Sequence, residues 1–382
     1  GPVLVDVTKD VTAATYEYSV RRPATINREV ETIRKEDLET AAQMIEEAKK
    51  PYIFVGGGSV ISGASKEISE LAHKIQAPVC DSLMGKGAFS GEDPLYTGML
   101  GMHGTKTSNY GVSECDLLVV ASIDGSSLGE PLKQAKEKGI PVISYDRLLM
   151  NSDAVSYYAT FDNYKVGQKQ GEYLVDALDL DNQDGPFNIE LFTGDPGDNN
   201  CNFFFGGAMD VLQKYIDDGK LVVKSGQVSK DDTATANWDT EKAQSRMDAI
   251  IASYYADGTN LDAVLCSNDS TALGTANALE SSYTGSWPII TGQDCDIANV
   301  KNIVKGKQTM SVFKDTRKLA KVTVKMVNSI MKGEEVEVND TITYDNGAKV
   351  IPTYVVDPIA VDQDNYKEIL IEGGYYTEAE LQ

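Results

Sequence analysis

The chain has 382 residues, with 35 Lys and Arg against 58 Asp and Glu, a formal net charge of −23 and a pI near 4.5. That balance argues against nucleic acid and against an anionic membrane surface as partners, because both are held by clustered basic side chains. With 41% hydrophobic and 24% charged residues, and no apolar run of about 18, the composition predicts a globular chain of two or three domains without direct membrane insertion.

Residues 1–7 read as a strand and residues 8–34 as a linker without period. A helix over about 36–49 places Leu38, Ala41, Ala42 and Ile45 on one face. An apolar strand then runs into Gly56, Gly57 and Gly58. A helix near 63–75, with Ile68, Leu71 and Ile75 inward, leads to a strand at Pro78–Cys80. The Gly-rich stretch 81–111 predicts a long loop with a short helix.

From residue 117 the rhythm is cleaner. Leu117–Ala121 predicts a strand, Ser127 to Glu130 a capping box, Gly139 a helix stop and Ile140–Tyr145 the next strand. Further strands are predicted at Asn188–Phe192, Leu221–Val223, Ala263–Cys266, Ile289–Thr291 and Thr309–Phe313. Between them lie helices at about 163–178, 203–217, 240–256, 270–280 and 296–305. Alternation of this kind means right-handed βαβ units and parallel sheets, an α/β class with Rossmann-like lobes.

The charge is uneven: residues 1–120 carry 12 basic and 17 acidic side chains, residues 121–382 carry 23 and 41. The two His are His73 and His103, both in the first part. Cys80, Cys115, Cys201, Cys266 and Cys295 are odd in number and form no C-x-x-C, so neither a disulfide framework nor a metal site is expected. The chain opens GPVLVDV, without the basic and apolar regions of a signal peptide. A fragment or processed form is the expectation.

Open parallel sheets bind ligands at the carboxyl ends of their strands. Those ends carry Asp146-Arg147, then Asp195, Asp198, Asn199 and Asn200, then Asn268-Asp269, Gln293-Asp294 and Lys314-Asp315. Asp accepts, Arg and Lys donate and Asn does both, which suits a ligand covered in hydroxyls. Trp238, isolated in TANWDT, offers a face for a sugar ring. No nucleophile–base pair, metal-ligand spacing or phosphate loop accompanies them. The bland reading is that strand-end Asp and Asn cap helices and turns. Similarly, Phe203, Phe204 and Phe205 read as core of the carboxyl lobe, and Trp287 as packed at the start of WPIITG.

The phrases IPVISYDRLLMN, FDNYKVG, DNNCNFFFGGAM, SNDSTALG, ITGQDCD, QTMSVFKDTRKLA and GGYYTEAEL fall within residues 117–382. Together they resemble the periplasmic sugar-binding proteins of ABC transporters, in the xylose and multiple-monosaccharide branch. The resemblance implies the type I periplasmic-binding-protein architecture, two lobes closing on one aldose such as xylose. It also implies ligand contacts at Asp146, Arg147, Asp198, Asn200, Trp238, Asn268, Asp294 and Lys314, and delivery to a membrane permease. Localisation would be periplasmic, or extracellular and membrane-associated.

The phrases GPVLVDVTKDV, PYIFVGGGSV, DSLMGKGAF, GMLGMHGT and NYGVSECDLL resemble a different family, acetohydroxyacid (acetolactate) synthase, in its central domain. That resemblance implies a vestigial FAD site at Gly56, Gly57, Gly58, His103 and Gly104. The segments that would supply the thiamine-diphosphate glutamate and the metal-binding G-D-G are not in this sequence, so no enzyme activity and no resident cofactor are expected. His103 reads first as an ordinary loop histidine between glycines, ahead of a cofactor contact.

The whole is thus expected to be a chimera: residues 1–34 a strand remnant and linker, 35–120 synthase-like, 121–382 sugar-binding-protein-like. Within the last, 163–313 form the carboxyl lobe, while 121–162 and 314–382 mainly complete a hybrid amino lobe and hinge. The junction is expected near Glu114 to Leu118, and hinge crossings near 155–163, 306–314 and 345–356. The alternative function is an FAD-binding fragment of the synthase, catalytically incomplete.

Overall fold

A computed structural model describes residues 50–56, 64–82, 85–100, 104–113, 118–120 and 128–381, with Ile45, Ser59 and Ser126. The expected first strand, the linker, most of the 36–49 helix, Gly57, Gly58, His103, Cys115, Ser127 and junction residues Glu114–Leu117 lie outside the described residues.

The first described unit is a parallel three-stranded sheet of β1 (Ile53–Val55), β2 (Val79–Asp81) and β3 (Tyr96–Met99), with α1 (Ser65–Ile75) and α2 (Lys106–Ser113). Val55, Ala72, Val79, Ala88 and Phe89 form its core. The sequence reading of 81–111 as a loop with a helix missed β3, whose Gly98 sits at φ +100 and interrupts the alternation. Leu71, expected inward, is 38% exposed, and Ala72 fills the buried position instead.

The second sheet has the order β12-β6-β5-β4, all parallel: β4 (Leu118–Val120), β5 (Val142–Tyr145), β6 (Val155–Phe161) and β12 (Thr353–Val356). Helix α3 (Gly129–Glu137) joins β4 to β5 and ends near Gly139 at φ +69. Its flanking residue, Leu128, makes no capping bond. Strand β6 occupies residues read from sequence as a hinge crossing. The chain leaves the sheet at Asp162, whose carboxylate caps α4 (Asn163–Ala177) by accepting from the Lys165 amide.

The third sheet is parallel, in the order β10-β9-β7-β8: β7 (Phe187–Phe192), β8 (Leu221–Val223), β9 (Ala263–Cys266) and β10 (Ile289–Ile290). The alternation of a strand explains its layers. Ala263 and Leu265 join the cluster with Leu174 of α4 and Ala208 and Leu212 of α5 (Asn200–Asp217). Val264 and Cys266 face Met247 of α6 (Thr240–Ile250) and Ala272 and Ala276 of α7 (Asp269–Ser282) on the other side. Truncating Leu265 to Ala would cost about 2–5 kcal/mol. Helices α4 and α5 cross at glycines: a Cβ at Gly167 would land on the Phe204 carbonyl, and one at Gly207 on the Tyr164 carbonyl. That close approach sets where the first turn of α5 lies.

Helix α8 (Ile297–Val304) leads to β11 (Met310–Phe313), which pairs antiparallel with β13 (Ile359–Asp362). Between those strands α9 (Thr316–Lys332) packs on the second sheet, in the cluster of Ile143, Phe161, Leu319 and Met326. Residues from 359 onward, ending in α10 (Glu378–Leu381), pack with Cys295, Val300 and Phe313. The chain therefore passes between the second sheet and the third sheet, which the β11–β13 pair adjoins through the Gln293–Val312 bridge, at Asp162, at Lys314-Asp315 and at Asp357-Pro358.

Two expectations about aromatic packing need correction. Phe203, Phe204 and Phe205 do not share one core. Phe205 packs with the third sheet, Phe204 with Val166, Met310 and Val312, and Phe203 reaches Tyr344 of the second unit at 5.2 Å between centroids. Successive residues on a helix are about 100° apart and cannot face one cluster. Trp287 is 38% exposed rather than packed, held by donation from Nε1 to the Lys307 carbonyl at 3.0 Å.

Candidate functional site

A cavity of about 450 Å³ lies where the chain passes between the second and third sheets. Tyr145, Asp146, Arg147 and Phe161 line it from the carboxyl ends of β5 and β6. Asp294 and Asp296 line it from the loop after β10, and Lys314 from the end of β11. Thr316, Leu319 and Tyr375 complete the wall.

The backbone turns sharply at both carboxylates. Asp146 sits at φ 63 and Asp294 at φ 98, in the left-handed region that costs most residues energy and that Asp and Asn tolerate better. The Asp146 carbonyl accepts from the Tyr158 hydroxyl at 2.7 Å, the Thr160 hydroxyl at 3.0 Å and Asn200 Nδ2 at 3.1 Å. Those three bonds hold the turn that points Asp146 and Arg147 off the sheet.

Two ion pairs organise the charges. Arg147 Nε lies 3.1 Å from Asp198 Oδ2, and Lys314 Nζ lies 2.9 Å from Asp294 Oδ1. Burial pushes the Asp198 carboxyl above its ordinary range, with Arg147 opposing it. Burial alone would pull Lys314 down, but the carboxylates of Asp294, Asp146 and Asp198 outweigh it and hold the ammonium above the usual lysine value. The ammonium also lies 5.7 Å from the ring centroids of both Phe161 and Phe204. Burial and Asp294 push Asp296 up. The result is a pocket lined by three carboxylates and two cations with aromatic walls, with Asp198 paired to Arg147 behind it, which can accept from and donate to hydroxyls at once.

The expected residues fall into three groups. Asp146, Arg147, Asp294 and Lys314 line the cavity. Asp198, Asn200 and Trp238 stand behind it: Asp198 accepts from Trp238 Nε1 at 3.3 Å, and Asn200 accepts from the Tyr158 hydroxyl at 3.3 Å. The indole meets Phe204 edge-on at 6.2 Å and lies against the Gly194 backbone. Asn268 does not join this cluster; its Oδ1 accepts the Thr271 amide in a capping box that opens α7.

Tyr145, Phe161, Asp296, Thr316, Leu319 and Tyr375 were not singled out from the sequence. Proximity marks the first and third, since Tyr145 precedes Asp146 and Asp296 lies two residues after Asp294. Tyr375 is brought in by tertiary packing: Phe313 meets it edge-on at 4.6 Å, and Arg317 lies 5.1 Å from its centroid while donating to the Gly373 and Gly374 carbonyls.

The two described glycines of the expected flavin loops, Gly56 and Gly104, line neither this cavity nor a second one of about 250 Å³ beside α9. A Cβ at Gly104 would land on the Met99 carbonyl, so that glycine serves backbone packing. Gly57, Gly58 and His103 of the same expectation lie outside the described residues. Among the described residues no group of acidic, His and Cys side chains could hold a metal ion, and no helix is long and apolar enough to cross a membrane.

Comparison with known proteins finds two families in the chain, whose matches overlap at residues 109–148. Residues 109–335 match the family described as periplasmic binding protein domain, and residues 38–148 match the thiamine pyrophosphate enzyme central domain. Over 270 residues the chain is 52% identical to the multiple sugar-binding periplasmic receptor ChvE of Rhizobium radiobacter, covering 70% of this chain and 76% of that one. It is 47% identical over 178 residues to the acetolactate synthase large subunit of Cyanidium caldarium, covering 44% of this chain but 30% of the synthase. Among solved structures, an ABC transporter solute-binding protein from Clostridium phytofermentans with bound β-D-glucose superposes with a TM-score of 0.72. It is 55% identical and covers 86% of this chain and 99% of that one.

Proposed function

We propose that this chain, which belongs to the periplasmic binding protein family across residues 109–335, binds a monosaccharide between its lobes and hands it to an ABC-transporter permease. One observation carries the reading. Of the eight side chains that the resemblance implies, Asp146, Arg147, Asp294 and Lys314 line one cavity, and Asp198, Asn200 and Trp238 stand behind it, joined to it by an ion pair and hydrogen bonds. A neutral aldose satisfies such a site, because ring hydroxyls donate to the carboxylates and accept from Arg147 and Lys314. The glucose named for the Clostridium phytofermentans protein and the sugars named for the ChvE receptor support the same class of ligand. Xylose belongs among the candidates.

In this reading Asn268 keeps its cap and offers Nδ2 to the sugar, and Trp238 swings its free face to the ring. Asp162, Lys314-Asp315 and Asp357-Pro358 act as the hinge, and sugar favours the closed arrangement by touching both lobes. The carboxyl lobe is residues 163–313, and the synthase-like segment occupies 35–120. The mature location is periplasmic, or extracellular and membrane-associated. The synthase-like segment corresponds to 30% of the Cyanidium caldarium synthase, and this reading assigns it no carboligation.

The test is a calorimetric and thermal-shift panel of aldopentoses and aldohexoses, with D-glucose and D-xylose first. A saturable response to at least one aldose is expected. Silence across the panel at millimolar sugar, in protein with an intact melting transition, would overturn the reading.

A further inference from the structure

Asp269 is fully buried at the first position of α7 and does not line the cavity, but it is bonded to the amide of Asp296, which does. Its carboxylate accepts from three donors on two separate segments, the loop after β10 and the run into β11. Oδ1 accepts from Gln308 Nε2 at 2.9 Å and from the Ser311 hydroxyl at 2.9 Å, and Oδ2 accepts from the Asp296 amide at 2.8 Å. The directions of these bonds are fixed by the rest of the network. Ser311 Oγ already accepts the Cys295 amide at 3.0 Å, so its proton is free for Asp269. Gln308 Oε1 accepts from Asn299 Nδ2 at 2.7 Å, which leaves its amide nitrogen facing Asp269. Asn299 closes the ring by donating to the Asp269 carbonyl at 2.8 Å. The site admits nothing larger: a Cβ at Gly292 would land on Asp269 Oδ1 and Gln308 Nε2.

The segments tied together are the two that carry the cavity's second ion pair. Asp294 precedes Cys295 and Asp296, whose amides the network holds. Lys314 follows three residues after Ser311. We propose that Asp269 is a positioning residue, one buried carboxylate that locks the loop after β10 and strand β11 in the register that brings Asp294 and Lys314 to 2.9 Å. An amide side chain of the same shape cannot replace it. An asparagine there would turn an amide N–H toward either the Asp296 amide or the Gln308 and Ser311 donors. The consequence for sugar affinity rests on the monosaccharide reading above; the positioning itself does not.

The experiment separates the two. Lys314 lies over the Phe161 and Phe204 rings, so its ε-methylene protons carry a ring-current shift that reports its place in sugar-free protein. Proton–carbon spectra of the full chain labelled with ¹³C-lysine would be recorded for wild type, Asp269→Asn, Asp294→Asn and the double variant, with Lys314→Arg to assign the signal. In Asp269→Asn the Lys314 signal should move toward the position of a free lysine, in the direction taken by Asp294→Asn. The double variant should move it little further. D-glucose affinity, read by calorimetry, should fall about tenfold in Asp269→Asn and by less than about threefold more in the double variant. An unmoved Lys314 signal in folded Asp269→Asn would overturn the proposal, and so would fully additive shifts. If Asp269→Asn does not fold, Ser311→Ala removes one link of the same ring and must move the same signal. Wild-type protein that binds no sugar while Asp269→Asn still displaces Lys314 would sink the sugar reading alone.

Discussion

Replacing Asp294 by asparagine removes one negative charge from the cavity wall and little else. The residue sits at φ 98, where asparagine is tolerated and alanine is strained, so Asp294→Asn separates charge from backbone in a way that Asp294→Ala does not. Its partner Lys314 has a side chain 13% exposed, against 34% for Asp294. Without that carboxylate, the ammonium keeps Asp146, Asp198 and Asp296 as counter-charges, none of them forming an ion pair with it. A sugar hydroxyl that donates to Asp294 loses a charge-assisted bond worth about 1.5–3 kcal/mol. At about 1.4 kcal/mol per decade, aldose affinity should fall by about ten- to a hundredfold. The pair is partly solvated, so its share of folding stability is about 1 kcal/mol or less, and the melting temperature should drop by no more than about 4 °C. Calorimetry with D-glucose at neutral pH, alongside a melting curve, reads both quantities. Lys314→Met should cost a similar factor, and the double variant less than the product of the two. An Asp294→Asn protein that binds within about twofold of wild type would refute the assignment of this ion pair to the ligand.

Sugar should change the fluorescence of Trp238, and Trp238→Phe should abolish that change, leaving the constant signal of Trp287, which is 38% exposed and quenched first by iodide; a full response surviving in Trp238→Phe contradicts the placement of the indole at the sugar. Burial raises the folded-state pKa of Asp198 above the ordinary carboxylate value. Aldose affinity should therefore rise with pH through that raised pKa as the acceptor ionises, and the slope should vanish in Asp198→Asn. The same group's contribution to folding runs the other way: it is fully present below the unfolded carboxylate pKa and is lost as pH rises through the folded one, which a pH series of melting curves against Asp198→Asn would read. Purified protein should form no acetolactate from pyruvate with or without thiamine diphosphate and FAD, and should carry no near-stoichiometric flavin; turnover above background or a yellow preparation would reverse the ranking of the two resemblances.

Much of the third sheet was legible in the chain because its strands are short apolar runs buried on both faces, as in Ala263–Cys266, and its helices open on caps such as Asp162, Asp239 and Asn268. Local chemistry also marked the strand ends, since a polar cluster after an apolar strand is visible at single-residue resolution. Local chemistry could not tell which of those groups cap a helix and which face a ligand. Asn268 and Asp315 are satisfied by backbone amides two or three residues on, while Asp294 and Asp198 find cations 20 and 51 positions away. Strand β6 was hidden because its run VSYYATF carries tyrosines and a threonine on both faces, and only pairing with β5 on one side and β12 on the other makes it interior. Strand β3 was hidden by a glycine, and Tyr375 by its distance from every other cavity residue in sequence. Secondary structure and the stock of polar groups follow from neighbours along the chain, so residues alone determined them. Which groups meet was decided by the three passages between the sheets and the buried ring around Asp269, because those contacts join segments that only the folded chain brings within hydrogen-bond distance.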